Sequence, residues 1–250
     1  MPAPRTTTPT MNSPSPALRE RGFDAEVYRL LAWLSPGFPT GAFAYSHGLE
    51  AAVEAGTVQD RASLQSWIGA ILLWGSGRID ADTLRDAYGA ATADDAEALT
   101  VANRRGVAFR ATAETLLETT AQGQAFLSTC RAAWPEPFVD RWAATLEKAG
   151  EAVCHPAAVG AVSARAEVRL GSALTGYLQA MAANLASAGL RLGIIGQTDA
   201  QHIIAALEPV IGTAVTNALT RDQTCFGTAT IAVELASMAH ETQYTRLFRS

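Results

Sequence analysis

Apolar positions along most of this chain recur at the three-and-four spacing of a helix buried on one face. Phe23, Val27, Leu30, Leu31 and Leu34 open the pattern, and AAVEAG continues it from Glu50 to Gly56. Asp60 caps a helix whose Leu64, Trp67, Ile68, Ile71 and Leu72 form a core-facing stripe. Gly75 and Gly77 end it, and Ile79 to Ala91 predicts a shorter, more polar helix. Asp94 with Glu97 marks the next start, and Phe109, Ala113, Leu116 and Leu117 keep the period past Arg104, Arg105 and Gly106 as far as Gly123. A separate helix over Gln124 to Ala133 stops at Trp134-Pro135-Glu136-Pro137, and Phe138 to Ala149 resumes until Gly150.

The second half is more apolar. Cys154-His155-Pro156-Ala157-Ala158-Val159-Gly160 is irregular, with its proline suited to a first helical turn. Leu174, Leu178, Met181, Leu185, Ala188, Leu192 and Ile195 step by four and three, the seam of a central or interface helix that Gly193 and Gly196 close. Thr198 with Gln201 predicts a capping box opening a helix that stops before Pro209, with further helices over about 210–219 and 227–240. Sustained apolar/polar alternation is missing, so no strands are expected. The fold class is therefore all-α: one compact globule of roughly nine to eleven helices. It spans 23–240, after a disordered leader over 1–22 and before a tail over 241–250.

Composition narrows the function classes. The chain is 48% hydrophobic, rich in alanine, and carries a formal net charge of −5 without any basic block. Nucleic acid is thus not an expected partner, because phosphate binding needs clustered Lys and Arg. Cys130, Cys154 and Cys225 lie far apart, which predicts reduced thiols and a cytoplasmic setting. The first sixteen residues hold five prolines and no apolar run, unlike a signal peptide. Ala173 to Leu190 has no formal charge, yet Thr175, Gln179, Asn184, Ser187 and many Ala and Gly residues argue against a membrane span.

Candidate chemistry concentrates between Ser35 and Glu50, SPGFPTGAFAYSHGLE. Pro36 and Pro39 push the preceding residues out of the α region, and Gly37 and Gly41 permit unusual backbone angles, so the loop has a shape of its own. Ser46 is the expected N-cap of the next helix, with Glu50 in its first turn. Tyr45-Ser46-His47-Gly48 resembles a nucleophile elbow but lacks the preceding strand that the motif needs. His47, His155, His202 and His240 show no metal-ligand spacing, Arg104-Arg105 reads as a solvated face, and no phosphate-cradling glycine motif occurs. No catalytic residue, metal site or cofactor is predicted, and the chain reads as a non-enzyme. The tail is different: Tyr244, Leu247 and Phe248 beside Arg246 and Arg249 suit docking in a groove of another chain.

Three segments together resemble the UreF family of urease accessory proteins. The first is LLAWLSPGFPTGAFAYSHGLEAAVEAG, in which Ser35, Pro36, Pro39, Gly41, Phe43, Ser46, Gly48, Leu49 and Glu50 fit the family signature. The second is HPAAVG at 155–160 followed by LRLGIIGQTDAQ at 190–201, and the third is the terminal YTRLFRS. The resemblance implies an all-α homodimer that couples the scaffold protein UreD (also called UreH) to the GTPase UreG, so that nickel is inserted into apo-urease. It implies that the tail, matching Tyr244, Arg246, Leu247, Phe248 and Ser250, docks on the scaffold. It also implies a GTPase-facing or dimer surface before the GQTD segment, with His155, Gly160, Tyr177, Arg191 and Gln197 as candidates. The chain departs from the family at Leu174-Thr175-Gly176-Tyr177, where members often carry aromatic residues and an Arg. The alternative function is direct nickel binding or relay by some of His47, Cys154, His155, Cys225 and His240.

Overall fold

The computed structural model describes residues 23–250, and the leader expected over 1–22 lies outside them. Among the described residues all regular structure is helical, as the patterning predicts. The helices are α1 Ala25–Trp33, α2 Leu49–Glu54, α3 Arg61–Trp74, α4 Ser76–Thr92, α5 Ala96–Ala108, α6 Ala113–Ala133, α7 Pro137–Ala149, α8 His155–Arg165, α9 Leu170–Arg191, α10 Gln197–Thr220 and α11 Ile231–Glu241. One 3₁₀ turn, Ala42–Ala44, interrupts the loop between α1 and α2.

Where local chemistry and burial agree, the elements fall where the sequence puts them. Asp60 caps α3 in a reciprocal bond with Ser63, and Leu64, Trp67, Ile68, Ile71 and Leu72 are all buried. Each such side chain contributes about 1.5–3 kcal/mol by leaving water. Pro137 sits in the first turn of α7 behind the N-cap Glu136, and Gly150 ends that helix in the left-handed conformation.

The core is organised around α4, which packs on α3, α5, α8, α9 and α10. This helix is longer and more buried than its polar sequence suggests. Asp80, Asp82 and Thr83 are all buried, and the two carboxylates meet arginines: Asp80 faces Arg110 at 2.7 Å and Asp82 faces Arg221 at 2.7 Å. Burial pushes the Asp82 carboxyl upward, with Arg221 and Arg85 opposing it. The predicted central helix, α9, lies beside α4 and packs along α10, α3 and α8.

Five expected boundaries are corrected. The helix predicted to run from Asp94 to Gly123 breaks instead at 109–112, where Thr112 caps α6, and α6 continues through Gly123. Gly123 is there for close approach, since a Cβ at that position would strike the backbone of Val153 and Cys154. Helix α10 does not stop at Pro209. Pro209 and Ala205 are both exposed, so water can hydrate the Ala205 carbonyl that the proline leaves without a partner. The cap of α10 is Gly196, with Asp199 reaching back to its amide, and Thr198 lies inside the first turn. The last helix begins at Ile231, because 221–230 is a non-helical strap that turns at Asp222–Cys225 and is held by Arg78 on the Cys225 carbonyl and Arg105 over the Phe226 ring.

Helix α10 is long and apolar enough to cross a membrane by length and composition, but here it packs on α3, α4 and α9. The segment Ala173 to Leu190 falls within α9 and is buried along one side.

Candidate functional site

The Pro/Gly loop is fixed from below by an aromatic cluster. Phe38, between its two flanking prolines, packs 5.3 Å from Phe126 and 6.4 Å from Trp134, and Trp33 stands edge-on to both rings. Of the three aromatics in the loop, Phe38 and Tyr45 are buried and Phe43 is exposed. Arg191 holds the 3₁₀ turn through the Phe43 carbonyl, and Asn184 donates to the Tyr45 carbonyl at 3.2 Å. Sequence reasoning made Ser46 the N-cap of α2; the cap position is Gly48, while the Ser46 hydroxyl accepts the Glu50 amide of the first turn at 3.4 Å and donates to the carbonyl of Ser250. Gly48 has φ +72°, and a Cβ there would come within 2.5 Å of the Ser237 amide nitrogen. His47 also has positive φ, uncommon outside glycine.

This geometry brings the chain's final residues into the loop. The Ser46 amide donates to the Ser250 carbonyl at 2.7 Å, and the Arg249 amide donates to the Ala44 carbonyl at 2.7 Å. Glu50, buried in the first turn of α2, accepts the Leu247 amide on one oxygen at 2.7 Å and the Phe248 amide on the other at 2.8 Å. Phe248 is buried, with the Arg191 guanidinium 4.3 Å above its ring. Ser250 is buried as well, and its hydroxyl donates to Glu118 at 3.2 Å. Tyr244 is fully exposed and Leu247 is 61% exposed.

Beneath the loop and tail lies a buried polar network that sequence reasoning missed. His240, wholly enclosed, stands between Glu114 at 2.7 Å and Glu50 at 3.2 Å, and Arg246 pairs with the other oxygen of Glu114 at 2.7 Å. One helical turn on, Glu118 faces His47 at 3.0 Å and accepts the Gln122 amide at 2.9 Å. Burial pushes the His47 imidazole down, but the Glu118 and Asp80 carboxylates outweigh it, and the net shift is upward. The signal was present in α6: Glu114, Glu118 and Gln122 recur every four residues, a polar stripe where an apolar one would ordinarily face the core.

Between the loop and this network is a cavity of about 520 Å³, with Trp33, Phe38, His47, Asp80, Arg110 and Tyr177 in its walls. Tyr177 donates to Asp80 at 2.8 Å, and burial holds its phenol well above the usual range. His155 lies against the rings of Phe126 and Tyr177, and burial pushes its imidazole down to about 4. Gly160 is interior, facing α4 at Leu84, whereas Arg191 and Gln197 are exposed. The five candidates for a GTPase or dimer face therefore do not share one surface.

The thiols and histidines are likewise dispersed. Cys130 and Cys154 are buried and pushed up by burial to about 12 and about 11, while Cys225 is exposed. Among the described residues no group of three or more His, Cys, Asp or Glu is gathered to hold one metal ion. His47 has no serine-hydrolase partnership with Ser46, since its ring contacts Glu118 and Ser76.

The chain is similar to known proteins over most of its length. The UreF family model matches residues 58–208. A urease accessory protein UreF of Rhodopseudomonas palustris (strain TIE-1) is 47% identical over 226 residues, covering 90% of this chain and 93% of that protein. The urease accessory protein UreF of Azorhizobium caulinodans is 46% identical over 233 residues, covering 93% and 99%. That of Granulibacter bethesdensis is 46% identical over 227 residues, covering 91% and 95%.

Proposed function

The chain belongs to the UreF family of urease accessory proteins, and from that premise we propose that it acts as a coupler in urease maturation, joining the scaffold UreD/UreH to the GTPase UreG for nickel insertion into apo-urease. In this reading it works in the cytoplasm as a homodimer and carries no catalytic site of its own. One observation carries the proposal: the signature loop and the terminal tail form a single unit, locked through Glu50, that turns Tyr244 and Leu247 outward. Ile231, Leu235 and Met238 of α11 are also exposed, so the tail's neighbourhood offers a further apolar face. Apolar anchors beside arginine suit a groove on a partner chain. Of the five tail residues assigned to scaffold binding, Tyr244 and Leu247 serve as the direct contacts. Arg246, Phe248 and Ser250 position them by holding the tail to Glu114, Arg191 and Glu118.

The test is assembly. The purified protein mixed with UreD/UreH and UreG should elute from size exclusion as one ternary complex, and failure to co-elute with either partner would sink the proposal. Removing 244–250 should weaken scaffold binding, since it deletes anchors worth about 1–3 kcal/mol each when buried.

A further inference from the structure

The cavity under the signature loop has no part in the partner contacts proposed above. At about 520 Å³ it is the size of a small-molecule pocket. Its charged wall is already paired: Asp80 with Arg110 at 2.7 Å, and Glu118 with His47 at 3.0 Å. What it offers a ligand is therefore shape and hydrogen bonding. Trp33, Phe38 and Tyr177 make part of its wall aromatic. Gln122 and Asn184 also line the cavity, and the direction of each side-chain amide is set by its neighbour. Gln122 must turn its nitrogen to the Glu118 carboxylate, and Asn184 must turn its nitrogen to the Tyr45 carbonyl, because both neighbours only accept. Each residue thus keeps its amide oxygen as the remaining acceptor.

We propose that this cavity binds a small organic molecule with a planar N–H-donating head, an amide or an amidine, on a flat apolar body. The Gln122 and Asn184 oxygens accept from the head, and the aromatic wall stacks on the body. Amide and amidine share this recognition chemistry and differ in charge, so the experiment separates them.

Ligand-observed NMR on the full-length protein, with benzamide, benzamidine and benzoate as isosteric probes, tests the assignment. Benzamide and benzamidine bind with a Kd of roughly 1 mM, as fragments of this size do. Benzoate, which has no N–H, binds at least about ten-fold more weakly. Tighter binding of benzamide than benzamidine identifies a neutral head, and the reverse a cationic one. Asn184→Leu lowers the affinity of the N–H probes by about five-fold or more; it also frees the Tyr45 carbonyl, so its melting temperature falls, and circular dichroism checks that the variant is folded at the assay temperature. Gln122→Met does the same, and because it also disturbs Glu118, Asn184→Leu is the deciding variant should Gln122→Met fail to fold. Binding of benzoate as tight as benzamide, no binding of any probe, or unchanged affinity in Asn184→Leu would each overturn the proposal.

Discussion

Replacing Glu50 by glutamine should release the tail without emptying the core. In the native protein the carboxylate accepts two backbone amides at 2.7 and 2.8 Å and faces His240 at 3.2 Å. Glutamine keeps the volume but turns one of those oxygens into an NH₂ group, so either Leu247 or Phe248 then points its N–H at another donor. A hydrogen bond to a charged group contributes about 1.5–3 kcal/mol, and its loss makes tail opening roughly 10- to 150-fold more frequent. Native-state hydrogen exchange reads this directly, because the Leu247 and Phe248 amides exchange only when the tail lifts. In Glu50→Gln both should exchange faster by that factor, while amides in α3 and α4 keep the parent rates. Exchange of Leu247 and Phe248 within about two-fold of the parent would refute the idea that Glu50 is what holds the tail.

Other outcomes follow from the same structure. Gly48→Ala should destabilise the protein by at least about 2 kcal/mol, seen as a lower urea midpoint, because the position combines positive φ with backbone contact at Ser237. His155 is held near 4, below its unfolded value of about 6.5, so the unfolded chain protonates first and stability falls as pH drops from about 6.5 towards about 4, by up to about 3 kcal/mol. His155→Phe should flatten that part of the urea-midpoint profile. His47 has the opposite sign: its raised pKa contributes stability that is full below about 6.5 and is lost as pH rises through the folded value, a dependence that His47→Asn should remove. Under native conditions a thiol reagent should modify Cys225 rapidly, with Cys130 and Cys154 reacting only on unfolding.

How far the sequence foretold the structure depended on whether a residue's role was local. Asp60 capping α3 and Pro137 opening α7 are decided within a few positions, and both fell as expected. Helix α4 was underrated because its aspartates look solvated until Arg110 and Arg221, 30 and 139 positions away from their partners, are brought against them. Gly123 and Pro209 misled for a related reason, since a helix tolerates either when its neighbours need the space or water takes the free carbonyl. The signature loop could be singled out by its prolines and glycines, and the tail by its anchors. Their union through Glu50 depends on the whole fold placing α2, α6 and α11 around His240, which no local pattern encodes.

The partner-docking reading rests most directly on Tyr244 and Leu247, whose side chains face outward while the Leu247 and Phe248 amides are locked to Glu50. The deciding measurement is the affinity of the double variant Tyr244→Ala, Leu247→Ala for the purified UreD/UreH scaffold, with tail protection followed in parallel by hydrogen exchange. The account predicts binding weakened by roughly 30-fold or more, at about 1 kcal/mol or more per anchor, with the Phe248 amide still protected. Parent-strength binding with the tail still docked would contradict it.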